Sequence, residues 1–154
     1  MLAITLTQPW ASLVAIGAKQ FETRDWDTDV RCQIAIHAGK NLAPVGGKRG
    51  FLRTVHSRPF CNALFDTGPF EHAMQLPMGA VVAVADLVET IKSPGWPPPG
   101  APDFEEAFGD FTAGRFLFEL RGVRPLKTPV PARGFQKFWT LPAGVERQVR
   151  EQLS

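Results

Sequence analysis

The chain has little with which to hold a metal ion or to build a disulfide scaffold. Its 154 residues include only two cysteines, Cys32 and Cys61, and three histidines, His37, His56 and His72. Two cysteines without paired spacing make neither a zinc site nor a disulfide framework, so two reduced and mostly buried thiols are expected. The histidines are far apart and form no ligand motif, and neither a metal nor a cofactor is expected. No apolar run approaches the ~18 residues that would span a bilayer. The opening MLAITLTQPW has no basic segment ahead of its apolar residues, as a secretory signal would. A cytoplasmic location and no membrane partner are therefore expected.

Internal repeats are absent, as is any stretch that would serve as a linker between two folding units. The expectation is one domain over residues 1–154, long enough to enclose a sizeable core. Apolar residues make up 44% and charged residues 21%, close to ordinary globular usage. Net charge is only +2, yet it is unevenly spread. Residues 38–58 hold Lys40, Lys48, Arg49, Arg53 and Arg58 with no acid. Residues 115–137 hold Arg115, Arg121, Arg124, Lys127, Arg133 and Lys137 against Glu119 alone. Between them, residues 66–110 carry eight acids and one base, Lys92. Two basic segments flanking an acidic one can fold into a single positive face that attracts a polyanion. They can equally remain neighbours of no special purpose.

Residues 1–6 read as a first strand. Pro9 suits the first turn of a helix, and Trp10, Leu13, Val14 and Gly17 recur at helical spacing, with Gly17 placed to end the helix in a left-handed conformation. Residues 19–24 read as a strand with Phe21 and Thr23 on one face and Glu22 and Arg24 on the other. QIAIH, residues 33–37, reads as the next strand, with Ile34 and Ile36 inward. A glycine- and lysine-rich loop is expected over 39–50, and a weak helix over 51–65 interrupted at Pro59. AVVAVADLVETI, residues 80–91, is the plainest strand. The proline-rich 93–102 is an extended loop, after which Asp103 is expected to cap a short helix through Phe108. Residues 115–123 alternate as a strand, with Phe116, Phe118 and Leu120 facing together. Pro125, Pro129 and Pro131 suggest a turn-rich return. A last strand within 136–141 and a helix over 143–153 complete the chain. Short strands closing on one another, with a few helices between, suggest a small, partly open β-barrel.

In GAKQFETRDW, residues 17–26, Gly17, Lys19, Glu22 and Arg24 form the pattern Gly-x-Lys-x-x-Glu-x-Arg. QPWASLV precedes it, and Trp26 and IAIHA follow. A distal block, GDFTAGRFLFEL with VRPL and PVPARGFQKFW, accompanies it. Together these blocks resemble the ASCH domain family of the PUA-like superfamily, and in particular a subgroup from bacteria and phages. The match covers well over half of the chain and leaves an insertion around 40–77 poorly matched. The resemblance implies an α+β, PUA-like small and partly open β-barrel with flanking helices, and a cleft lined by the signature residues. It also implies RNA binding. Some members of the family resemble or are amidohydrolases acting on acetylated cytidine, and ribonuclease activity has been attributed to others.

The residue types are consistent with either role. Lys19 lies just past a helix C-terminus, where it is a capping charge, a phosphate contact or an amine whose pKa falls on burial so that it can act as a base. Glu22 and Arg24 form a surface pair worth ~0.2–1 kcal/mol, or orient a substrate amide or base edge. For amide hydrolysis Glu22 would activate water while Lys19 or Arg24 stabilises the oxyanion. The small amidohydrolases of the family carry a threonine nucleophile where this chain has Glu22. The adjacent Thr23 should face the other way, so that mechanism does not carry over directly. Trp26, beside Asp25 and Asp27, is either packed or a platform for a base.

Arg115, Arg133 and Lys137 are the distal basic candidates, with Gly114 and Gly134 allowing close approach of the backbone. Trp10 is expected in the core and Ser12 in a structural role. Trp139, Phe135 and Phe138 are core or rim, and His37 is a structural histidine or a border of the same cleft. The first expectation is a cationic cleft for single-stranded RNA, another single-stranded nucleic acid or a nucleotide, formed by Lys19, Glu22, Arg24, Trp26, Arg115, Arg133 and Lys137. The alternative is a metal-independent hydrolase of a modified nucleoside, or a ribonuclease, using Lys19 and Glu22. A third reading is a protein-interaction module presenting the proline-rich loop 94–102 to a partner of unknown identity, although such loops more often act as rigid connectors.

Overall fold

A computed structural model describes residues 1–154. Six strands form one mixed sheet in the order β2-β5-β4-β3-β1-β6. They are β1 (Leu2–Leu6), β2 (Phe21–Arg24), β3 (Gln33–Ala38), β4 (Ala80–Lys92), β5 (Phe116–Pro131) and β6 (Phe138–Thr140). Only β1 and β3 run parallel, with Thr5 opposite His37. The three helices are α1 (Trp10–Ala15), α2 (Gly47–Val55) and α3 (Ala143–Glu151). The sheet curls into a half-barrel, the partly open α+β barrel that the order of short strands suggested.

Alternation along the strands decides the layering. Ile4, Leu6, Ile34, Ile36, Phe118 and Leu120 face α1 in one core with Ala11 and Val14. Ala3, Ala35, Val81 and Val84 emerge on the other face and pack with Trp139, Leu141 and Val149 of α3. Both faces of β3 are covered, so Ile34 through Ala38 are all buried. The α2 region closes a third cluster, with Phe51, Val55, Phe60 and Leu64 against Leu13 and Phe108.

The turn that delivers the signature residues follows from local chemistry. Gly17 adopts φ +79°, the Gly17 N–H donates to Val14 O, and the Ala18 N–H donates to Leu13 O. This is the Schellman arrangement, and it turns the chain from α1 into β2. At the other end of α1, the buried Gln8 side chain accepts from the Ser12 N–H at 3.1 Å and donates to Ser12 Oγ at 2.8 Å. Ser12 is thereby occupied in fixing the helix start.

Four expectations are corrected. Residues 39–50 are not one loop: a 3₁₀ turn spans Ala43–Val45 and α2 begins at Gly47. Asp103 caps nothing, because Phe104 precedes the turn Glu105–Phe108 without a side-chain cap. Pro125, Pro129 and Pro131 do not form a turn-rich return but lie within β5. There β2 pairs only with Phe116–Glu119, so one side of the later stretch is a sheet edge where proline is tolerated. Cys32 is exposed rather than buried, and both cysteines are free.

Candidate functional site

Two adjoining chambers open beside β2 and β1. They share a wall of Thr5, Thr7, Arg24, Asp25, Trp26 and Pro44. The first, about 1000 Å³, is lined by Arg24, Lys40, Arg133 and Lys137, with Asp25 as its one acid. The second, about 890 Å³, is lined by Lys19, Glu22, Thr23, Arg24, Arg115 and the loop from Ala107 to Asp110. Lys19, Glu22, Arg24, Trp26, Arg115, Arg133 and Lys137 therefore all border this double cleft. Of the two basic segments, only Lys40, Arg115, Arg133 and Lys137 reach it. Lys48, Arg49, Arg53, Arg58, Arg121, Arg124 and Lys127 lie elsewhere.

Lys19 is 1% exposed, and its ammonium nitrogen hydrogen-bonds to the Phe21 carbonyl. Burial holds its pKa below the ordinary lysine value, an effect opposed by the Glu22 and Glu105 carboxylates. Glu105, also buried, accepts the Gln20 N–H at 2.9 Å and the Phe21 N–H at 2.8 Å. Burial raises the Glu105 pKa despite those donors and Lys19. The loop bearing Glu105 is thus fastened to the first residues of β2. It passes so close that a Cβ on Gly109 would stand 3.3 Å from Lys19 Nζ and 3.1 Å from Thr23 Cγ2. Thr23 borders the second chamber even though it alternates with Glu22 and Arg24, because this loop folds against it. Its Oγ1 accepts the Asp110 N–H at 3.1 Å.

Arg24 is committed on one side only. Its Nη2 donates to Thr5 O at 2.8 Å. Its Nε lies 3.0 Å from Glu22 Oε1, but in a direction that makes no hydrogen bond, and that buried N–H is left without an acceptor. Arg115 repeats the pattern. Its Nη2 donates to Thr23 O at 3.2 Å, and its buried Nε, 3.4 Å from Asp110 Oδ2, has no hydrogen-bond partner. Each guanidinium is ion-paired to a carboxylate, Glu22 or Asp110, yet keeps an Nε–H without a hydrogen bond, and beside a buried amine such donors suit an anionic oxygen.

Aromatic rings line the first chamber. Trp26 packs edge-to-face on Phe118 and Phe138, with centroids 5.0 and 5.4 Å apart. Lys137 Nζ sits 5.7 Å from the centre of the Trp26 ring, in a cation–π contact. Phe135 is 51% exposed and carries the Arg133 guanidinium 5.3 Å from its centre. Trp139 is core, Phe138 is half-buried and Phe135 is rim. Trp10 is half-buried rather than core: it lines the second chamber and packs on Phe60. Sequence reasoning did not single out Thr5, Lys40, Gly109 or Asp110, although the matched block GDFTAGRF begins at Gly109.

No family model matches the chain. It is 24% identical over 153 residues to Activating signal cointegrator 1 of Mus musculus, and 22% identical over the same length to that of Homo sapiens. These alignments take in 97% of this chain but 24% of each relative, so it spans about a quarter of their length. Among solved structures, ASCH from Zymomonas mobilis superposes with a TM-score of 0.58 at 16% identity, covering 97% of this chain and 93% of that one. The chain adopts the ASCH fold. Two point-mutant forms of the Zymomonas mobilis protein match with a TM-score of 0.57 each. The resemblance carried by Gly17, Lys19, Glu22 and Arg24 is thus matched by the architecture of the whole chain. No helix of this ASCH fold is long and apolar enough to cross a membrane.

Proposed function

We propose that the double cleft binds single-stranded RNA or a nucleotide. The observation that carries this reading is the pair of buried, unpaired N–H groups of Arg24 and Arg115 in one chamber, continuous with the cationic, aromatic-lined chamber beside it. A phosphate supplies the acceptor oxygens that Arg24 and Arg115 lack. Arg133, Lys137 and Lys40 add charge along the backbone path. Glu22 reads a base edge as an acceptor. Phe135 and Trp26 offer rings for bases once Arg133 and Lys137 leave their faces for phosphates. Fluorescence anisotropy with labelled single-stranded RNA at low salt tests the proposal. Affinity should fall with salt by a logarithmic slope of about −0.7 per phosphate contacted. No binding at low salt, or binding indifferent to salt, would refute it.

The second reading, a metal-independent hydrolase, is favoured by Lys19. A buried amine with a lowered pKa beside Glu22 is suited to accept a proton, or to stabilise an oxyanion once charged. Turnover of acetylcytidine or single-stranded RNA would support it. Activity surviving in both Lys19→Ala and Glu22→Gln proteins would remove it.

A further inference from the structure

A third buried polar atom in the cleft lacks a partner, and its polarity is opposite to that of the arginines. His37 is 1% exposed and lines the first chamber. Its Nε2 lies 2.9 Å from Ala132 O. A carbonyl can only accept, so Nε2 carries the proton, and in the neutral ring Nδ1 is an acceptor. Nδ1 has no hydrogen-bond partner. Burial lowers the His37 pKa, which keeps the ring neutral near pH 7.

The surroundings of Nδ1 are shaped by Thr5, Trp139 and the strap of residues 131–137. Trp139 holds the imidazole edge-to-face at 5.4 Å and donates from Nε1 to Thr5 Oγ1 at 3.0 Å. The strap crosses over His37 at Gly134. A Cβ there would stand 2.7 Å from Nδ1, 2.5 Å from Cε1 and 2.7 Å from Thr5 Oγ1. Any other residue would press a methylene onto the acceptor. Outside the strands, the strap is tied by the Ala132 N–H to Gly79 O and by His37 to Ala132 O. Residues 133–137 add no loop backbone hydrogen bond. Gly134 covers Nδ1, so a group reaching that atom must displace the strap, a shift that would break no sheet pairing. Phe135, the exposed ring, is the next residue of the strap.

We infer that His37 is a specificity residue: its Nδ1 accepts a hydrogen bond from an N–H on the edge of a nucleobase held in the first chamber, while the phosphate lies at Arg24 and Arg115. This rests on the nucleotide-binding reading and orients the ligand within it. The two guanidinium donors mark the acceptor-rich end, and the imidazole acceptor marks the donor-bearing end.

The test measures binding of labelled oligo(A) and oligo(U), and of the same oligomers carrying N6,N6-dimethyladenosine or N3-methyluridine. Methylation removes the base-edge N–H while keeping the charge and the ring. The better-bound natural oligomer should lose about tenfold in affinity on methylation, the scale of one hydrogen bond. In a His37→Phe protein the ring is kept but carries no acceptor. There the natural and methylated oligomers should bind equally, with the salt slope unchanged. Equal binding of methylated and natural oligomers by the native protein would overturn the inference, and this arm stands even if His37→Phe fails to fold. A methylation penalty that persists in His37→Phe would overturn it as well. Salt-dependent binding without discrimination rejects this inference alone, whereas absence of any binding rejects the nucleotide-binding reading with it.

Discussion

The guanidinium of Arg24 donates to the carbonyl oxygen of Thr5 at 2.8 Å, joining the edge strand β2 to β1 across the open side of the sheet. Thr5 lies one residue beyond Ile4, the last residue of β1 paired with β6. Its carbonyl is satisfied by a side chain rather than by a strand. Trp26 against Phe138 continues the same join. Arg24 thus closes the half-barrel and forms the wall between the two chambers.

Arg24→Ala should therefore lower both stability and affinity. Loss of a charge-assisted bond to a half-buried carbonyl costs about 1.5–3 kcal/mol, read as a shift in the urea midpoint at unchanged slope. Arg24→Lys should recover only part of this, since an ammonium cannot hold Thr5 O and present a second directed donor as the guanidinium fork does. Full stability in the alanine variant would show that the seam does not depend on Arg24.

Lys19 makes a prediction at alkaline pH. Its folded pKa lies below the ordinary 10.5, so within that window the folded state binds fewer protons than the unfolded one. Stability attributable to Lys19 then increases as pH rises towards 10.5, and is lost as pH falls through the folded pKa. The chain contains no tyrosine, which removes one competing titration. Unfolding free energies from pH 8 to 10.5 should show this upward contribution in the native protein and not in Lys19→Met. Identical profiles would show that burial does not lower the Lys19 pKa.

Gly109 should resist any side chain. A Cβ would meet Phe111 Cε2 at 2.9 Å as well as Lys19 and Thr23, although φ there is −152° and unstrained. Gly109→Ala should cost about 1–3 kcal/mol by overpacking and should weaken ligand binding by crowding the second chamber. An alanine variant with native stability and affinity would mean that the loop moves aside.

Phe135 and Trp26 should separate binding from stability. Phe135→Ala is expected to leave the thermal midpoint nearly unchanged, since the ring is exposed, while affinity for single-stranded RNA falls by about 1–3 kcal/mol. Trp26→Ala should lower stability by about 3 kcal/mol, because its ring supports Phe118 and Phe138. If Phe135→Ala binds as the native protein does, the rim ring takes no part in stacking.

Periodicity made the strand faces legible. Ile34 and Ile36 share a face opposite Ala35, as period-two alternation requires, and Gly17 ends α1 as its position indicated. Pro125 and Pro131 misled because a proline reads as a break unless it is known that one side of the strand is unpaired. The site was legible only through residues close together in sequence: Lys19, Glu22 and Arg24 share a short stretch. Glu105 was not legible, because its role depends on a loop returning 84 residues later to the Phe21 N–H. Thr5 was hidden too, since nothing in a strand threonine announces that its carbonyl will lie beyond the end of β6.

A barrel joined on one side by backbone ladders and on the other by side chains has unequal stiffness. Parting two strands of the sheet breaks a row of hydrogen bonds together, whereas widening the gap between Arg24 and Thr5 loosens contacts one at a time. The cleft lies along the side joined by side chains, so a change in its width would leave the register of the sheet intact. Arg24, which fastens the gap, also lines both chambers, so a ligand held by it would couple its own binding to the closure of the fold.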